Sequence, residues 1–200
     1  FDIWQPDRSS ITPATQQALR TLEWIDRHEN LVIAGPSGTG KSHLCEALGH
    51  AAIDHGKVVA WFAIEDLGTL VRRHRIDDSI ARAFTPILRA DLIVIDDIGM
   101  LPISPDAAEG LYRLVDAAYE RKSLAVSSNL HPAGFDQLMD PTIATALVRA
   151  LRDGGIEGIS KGLANEDQEQ QDANQHGKRR EGYPPGVEVG LALLQQFTQA

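Results

Sequence analysis

The sequence has little of several features that define whole classes of protein. It contains one cysteine, Cys45, which excludes an internal disulfide and a cysteine metal cluster. No apolar run approaches the roughly 18 residues that cross a membrane, and the first residues are too polar for a secretion signal. A net charge of −9 argues against a uniformly basic nucleic-acid binder, but it allows a local basic patch. We therefore expect a cytoplasmic protein without a membrane partner.

A polar stretch that follows Leu163 has no large apolar side chains. Residues 164–181 contain no aliphatic side chain larger than alanine and no aromatic one. Such a segment cannot bury enough apolar surface to offset the entropy that ordering would cost. We predict one folded domain over residues 1–160, followed by a low-complexity polar tail over residues 161–200 that is disordered.

The first 160 residues alternate short apolar runs with amphipathic segments of helical length. The apolar runs are 31–34, 58–64, 92–95 and 124–126. The amphipathic segments are 12–26, 42–55, 79–89, which Pro86 interrupts, and 105–121, for which Ser104 is a suitable N-cap. Nearly continuous apolar strands are typical of a parallel sheet covered on both faces. The predicted fold class is therefore α/β, with a parallel sheet flanked by helices.

A glycine-rich segment, GPSGTGKSH, lies between the first strand and the following helix. It fits the P-loop pattern G-x-x-x-x-G-K-[ST]. The candidate nucleotide-binding residues are Gly35, Pro36, Ser37, Gly38, Thr39, Gly40, Lys41, Ser42 and His43. In such loops the backbone N–H groups surround phosphates, the lysine reaches the β- and γ-phosphates, and the hydroxyl after it ligates Mg²⁺. The segment predicts binding of a nucleotide with Mg²⁺.

Two adjacent carboxylates end the third apolar run, DLIVIDDIGMLP. Asp96 is suited to hold Mg²⁺ through water, as a Walker B aspartate does. Asp97 is suited to orient the attacking water, which is typical of ATPases of the additional-strand class. A merely solvated strand end is the alternative, and the upstream P-loop argues against it. Because Asp is shorter than the Glu often found there, we expect hydrolysis of ATP to be slow.

The fourth apolar run, LAVSSNL, ends in polar residues at Ser127, Ser128 and Asn129. In ATPases of this class the corresponding strand lies between the P-loop strand and the Walker B strand. Asn129 would then face the γ-phosphate and its water, the sensor-1 role. The alternative is an asparagine that only ends the strand in a turn.

A basic run follows the second strand. It contains Arg72, Arg73 and Arg75. One interpretation is a helical element that contacts DNA phosphates in a salt-dependent way. The other is an exposed helix face paired with Glu65, Asp77 and Asp78. The sequence leaves both open.

Together, GPSGTGKSH, ADLIVIDDIGMLP and VSSNLHPAGFDQLM resemble the IstB family over residues 10–146. These are AAA+ ATPases of insertion sequences and relatives of the helicase loader DnaC. The resemblance implies an ATPase that forms homo-oligomers on duplex DNA, deforms the target site, and recruits and stimulates a transposase. A DnaC-like helicase loader and a hydrolysis-impaired protein that only binds ATP and DNA remain the alternatives.

The sequence departs from the family pattern at two places. Family members follow the helix that corresponds to IATAL with an Asp-Arg dipeptide, whose arginine is the candidate arginine finger. Here that dipeptide is missing, and Arg149 lies one position out of register. Relatives also carry a helical partner-binding domain ahead of this region. Because the sequence opens at Phe1, we expect the transposase contact of that domain to be lost in this chain.

Overall fold

The sheet has the strand order of the additional-strand class. The structure is a computed structural model that describes residues 4–5, 9, 11–75, 79–99 and 102–153. Its strands are β1 Leu31–Ala34, β2 Val59–Ala63, β3 Leu92–Ile98 and β4 Ser123–Ser128. All neighbours are parallel, in the order β1-β4-β3-β2. The predicted α/β class and the position of β4 between the P-loop strand and the acidic strand are confirmed.

Helices connect these strands across both faces of the sheet. In the described part of the chain they are α1 Pro13–Arg20, α2 Glu23–Asp26, α3 Lys41–Asp54, α4 Ile64–His74, α5 Ile80–Phe84, α6 Pro105–Ala118 and α7 Pro141–Asp153. Short 3-10 helices cover Ile87–Arg89 and Pro132–Gln137. As predicted, Ser104 caps α6, because its hydroxyl accepts from the N–H of Ala107 at 3.2 Å. No helix among the described residues is long and apolar enough to cross a membrane.

Two apolar layers sandwich the sheet, as its nearly continuous apolar strands require. On one face Leu31, Ile33 and Val94 pack against α1, α2 and α3. On the other face Val32 and Ile95 pack in a second cluster with α4, α6 and α7. Cys45 is fully buried in the first layer, and burial raises the pKa of its thiol, so it is a core residue.

Several predicted boundaries differ from the observed ones. Residues 12–26 form two helices, because Leu22 adopts a φ of 57° and turns its buried side chain into the core. Strand β2 ends before Ile64, which begins α4, and the carboxylate of Asp66 caps that helix through the N–H of Ala63 at 2.9 Å. Helix α6 ends at Ala118 rather than at residue 121. The predicted tail, residues 161–200, lies outside the described residues.

Candidate functional site

The loop between β1 and α3 has the backbone of a phosphate cradle. Gly38 and Gly40 have φ angles of 82° and 89°, a region that residues with a side chain rarely adopt. The hydroxyl of Thr39 donates to the carbonyl oxygen of Pro36 at 2.7 Å and closes the loop. Because α3 begins at Lys41, the positive end of its dipole faces this loop. Residues 35–43 therefore form a strand end, a turn and a helix start in the predicted order.

The side chain of Lys41 folds back over this loop. Its Nζ donates to the carbonyl oxygen of Pro36 at 3.0 Å and to Oδ1 of Asn129 at 2.7 Å. Only 6% of the residue is exposed. Burial lowers the pKa of the Lys41 ammonium group, and the carboxylates of Asp97 and Asp96 act in the opposite direction. A buried cation is thus held by two neutral acceptors, which phosphate oxygens can replace.

Asp96 and Asp97 occupy a β-bulge at the carboxyl end of β3. The register with β4 shifts between Ile95 and Ile98, so that two residues of β3 lie opposite the single residue Ser127. Asp97 has a φ of 67°, a conformation that costs about 1 kcal/mol for most residues and less for Asp and Asn. The bulge interrupts the normal alternation of side chains between the two faces of a strand. It thereby lets the carboxylate of Asp96 contact Ser42 and the carboxylate of Asp97 contact Asn129.

Asn129 connects the buried lysine to the second carboxylate. Its Oδ1 accepts from Lys41, and its Nδ2 donates to Oδ1 of Asp97 at 3.3 Å. Its own N–H donates to the carbonyl oxygen of Ile98 at 2.7 Å, which fixes its place directly beyond β4. Asn129 therefore does more than end a strand, since its side chain bridges the two predicted reactive groups.

Ser42 and Asp96 supply oxygens that suit Mg²⁺. The Ser42 hydroxyl donates to Oδ1 of Asp96 at 2.9 Å. Hydroxyl and carboxylate oxygens are hard ligands, and Mg²⁺ in nucleotide sites takes its remaining ligands from phosphates and water. No group of three or more His, Cys, Asp or Glu among the described residues forms a metal site by itself. These two residues therefore fit a cation that arrives with a nucleotide.

An aromatic side chain that precedes α1, Trp4, lies beside His43. The rings of Trp4 and His43 lie 5.9 Å apart. The indole N–H of Trp4 donates to Oε1 of Gln16 at 2.9 Å, and the amide of Gln16 donates to the carbonyl oxygen of Ile11 at 2.7 Å. A buried glutamine thus anchors the aromatic ring beside the last residue of the predicted nucleotide-binding set.

Comparison with known proteins assigns this chain to a family. A family model described as IstB-like ATP binding protein matches residues 6–154. The chain belongs to this family. The resemblance read from the sequence is therefore confirmed.

Two curated relatives of this IstB-like chain are named for insertion sequences and for ATP binding. One, of IS232 from Bacillus thuringiensis subsp. berliner, is 31% identical over 141 residues, which cover 70% of this chain and 56% of the relative. The other, of IS21 from Pseudomonas aeruginosa, is 31% identical over 134 residues, which cover 66% of this chain and 51% of the relative. The chain spans about half the length of these relatives.

A solved structure shares the fold of the IstB-like chain. The crystal structure of the DnaC helicase loader aligns with a TM-score of 0.58 and 16% identity. The alignment covers 74% of this chain and 91% of the loader chain. At this identity the likeness shows the fold alone.

The basic run of the IstB-like chain lies on α4, and part of it is paired with α6. Arg75 Nη2 lies 2.7 Å from Asp106 and 2.6 Å from Glu109, and Arg72 Nη1 lies 3.6 Å from Asp106. Arg73 is exposed and makes none of these ion pairs.

The structure does not pair these arginines with Glu65, and their pairing with Asp77 and Asp78 stays a prediction. The Glu65 carboxylate instead accepts from Ser104, and Asp77 and Asp78 lie outside the described residues. Helix packing brings α6 beside α4, which no local pattern could show. Sequence reasoning therefore missed Asp106 and Glu109 as partners of the arginines.

Arg149 lies on α7 and lines a groove outside the candidate site. It lines an open groove of about 740 Å³ between α6 and α7, together with Tyr112, Tyr119 and Thr145. None of the residues 35–43 lines this groove, nor do Asp96, Asp97 or Asn129. The lining of this groove thus places Arg149 with none of the candidate site residues of its own chain. An arginine that serves a neighbouring subunit would also lie outside the site of its own chain.

Proposed function

We propose that this chain binds ATP with Mg²⁺ and hydrolyses it slowly, and that it serves insertion-sequence transposition as a helper on duplex DNA. The observation that carries the proposal is one hydrogen-bonded array at the carboxyl edge of the sheet. In it Lys41, Asn129 and Asp97 are linked in series, beside the linked pair Ser42 and Asp96. Three separate sequence segments thus meet where a P-loop would hold a triphosphate.

Each side chain of the array suits a different role in binding and hydrolysing ATP. Lys41 would exchange its contacts with Pro36 and Asn129 for oxygens of the β- and γ-phosphates. Ser42 and Asp96 would hold Mg²⁺, which neutralises charge on the phosphate oxygens when bound. Asp97 would orient water for attack on the γ-phosphorus and take its proton, while the bond to the ADP oxygen breaks.

The partners are proposed from the family and from the position of one arginine. Both relatives are named for insertion sequences. Transposition joins a transposase to duplex DNA, so these are the partners that we assign to the helper. An arginine offered across a subunit interface contributes about a thousandfold in rate in related reactions. Arg149, on the outer groove of α6 and α7, is our candidate for that role in a homo-oligomer.

The direct test is phosphate release from ATP with Mg²⁺, with and without duplex DNA. We expect slow turnover, below about 1 s⁻¹, that duplex DNA increases. Electron microscopy of the same mixture should show oligomers along the DNA. Tight ATP binding without phosphate release under either condition would instead indicate the hydrolysis-impaired binding protein.

A helicase loader is the second candidate function. The fold it shares with DnaC does not favour it, because 16% identity shows the fold alone. The insertion-sequence names of the relatives favour the transposition helper. Stimulation of a purified transposase, but not of replicative helicase loading, would separate the two.

The ion pairs of α4 give a sharper prediction for DNA binding than the basic run alone. We expect Arg73→Ala to flatten the dependence of log K on log salt by about one unit. The matched control is Arg75→Ala, which should change the slope by less than about half a unit, because Arg75 already neutralises Asp106 and Glu109. Titrations of duplex DNA at several salt concentrations measure both. Equal changes of the salt slope in the two variants would show that the ion pairs of Arg75 break when DNA binds. An unchanged slope in both variants would show that α4 does not contact DNA.

A further inference from the structure

Ser127 is a buried polar residue to which the proposed mechanism assigns no role. It is the next-to-last residue of β4, it is 0% exposed, and Val126 before it is part of the apolar core. Its hydroxyl donates to Oδ1 of Asp96 and accepts from the backbone N–H of Asp97 at 2.9 Å. One side chain on β4 thus contacts both acidic residues on β3.

The contact lies at the bulge, where the regular backbone hydrogen bonds between β3 and β4 are interrupted. At a β-bulge the extra residue loses its partner in the ladder, and here the bulge contains Asp96 and Asp97 opposite Ser127. The N–H of Asp97 therefore bonds to a side-chain hydroxyl instead of a strand carbonyl. This bond takes the place of the ladder bond that the bulge loses, so the hydroxyl helps to hold the bulge.

The same hydroxyl fixes the direction of the first carboxylate. Oδ1 of Asp96 accepts from Ser127 on one side and from Ser42 at 2.9 Å on the other. Groups that hold the ligands of a metal commonly change metal affinity or activity 10- to 100-fold when they are removed. Ser127 is placed to act in this way on Asp96, and through the bulge on Asp97.

We propose that Ser127 is a positioning residue, whose hydroxyl holds the β3 bulge so that Asp96 meets the cation and Asp97 meets the attacking water. This inference rests on the proposed ATPase function. Sequence reasoning passed over Ser127 because a serine near a strand end is common. The available signal was its place on the strand that lies against the acid pair.

The experiment measures how ATP hydrolysis depends on Mg²⁺ in Ser127→Ala, Ser127→Cys and Ser127→Thr. Alanine removes both hydrogen bonds, and cysteine keeps the shape but bonds more weakly. We expect Ser127→Ala to raise the half-saturating Mg²⁺ concentration about 10-fold and to lower kcat by about 10- to 100-fold. Ser127→Cys should fall between alanine and the wild type. Threonine keeps the hydroxyl and suits a strand, so it should return both values to within about threefold of the wild type.

Ser123→Ala is the matched control. Ser123 lies on the same strand and is equally buried, but its hydroxyl donates to the carbonyl oxygens of Trp24 and Ile25 at the other end of the sheet. We expect this variant to lose thermal stability without any change in the Mg²⁺ requirement. If Ser127→Ala does not fold, the comparison of cysteine with threonine decides the question.

The outcomes separate this inference from the proposed function. Equal Mg²⁺ requirements in Ser127→Ala and Ser123→Ala, in an active protein, would overturn the positioning role alone. If the wild type released no phosphate, the ATPase proposal would be wrong. The role of Ser127 would then be decided by the Mg²⁺ dependence of binding to a non-hydrolysable ATP analogue. A wild type that binds no nucleotide with Mg²⁺ would overturn both.

Discussion

Asp97→Asn is expected to lower ATP turnover by about 100-fold while leaving ATP affinity within about threefold of the wild type. The carboxylate is the acceptor that orients and polarises water in the proposed mechanism, and an amide cannot take its proton. The fold should tolerate the change, because Asn also adopts the positive φ of 67° found at this position. Its amide oxygen can still accept from Asn129. The variant therefore tests chemistry rather than folding.

Steady-state phosphate release and calorimetric ATP binding measure the two effects of Asp97→Asn. The matched control is Asp91→Asn, just before the opposite end of β3, where the carboxylate accepts from the N–H of Val58 at 2.9 Å. We expect that variant to retain turnover. If Asp97→Asn also retains it, Asp97 is a bystander, and the water must be oriented by another group.

Lys41→Ala is expected to weaken ATP binding by about 100-fold or more. Lys41 is the lysine of the P-loop, and it is only 6% exposed. A buried charge-assisted hydrogen bond to phosphate is much stronger than an exposed one. Its removal should also leave Asn129 without the donor at 2.7 Å.

Titration with ATP in the presence of Mg²⁺ measures this loss of affinity. Lys57→Ala is the control, since Lys57 follows the other end of α3 and pairs with Asp26. That variant should bind ATP as the wild type does. Unchanged ATP affinity in Lys41→Ala would contradict the assignment of residues 35–43 as the phosphate loop.

Much of the fold could be predicted because its signals are local. The four apolar runs, the P-loop pattern and the N-cap at Ser104 each depend on residues that are neighbours in the sequence. The structure has them nearly as predicted. Predictions were wrong where a distant contact chose the local conformation, as at Leu22, which leaves the helical region to bury its side chain.

The sequence by itself determined which groups the candidate site contains, since the P-loop, the acid pair and Asn129 can each be recognised in a short segment. Only the tertiary structure decided how they face one another. The bulge opposite Ser127 exists because β4 lies beside β3, and the pairing of Arg75 exists because α6 packs against α4. Strand register and helix packing join residues about 30 positions apart, where a hydrogen bond or an ion pair leaves no periodic pattern in the chain.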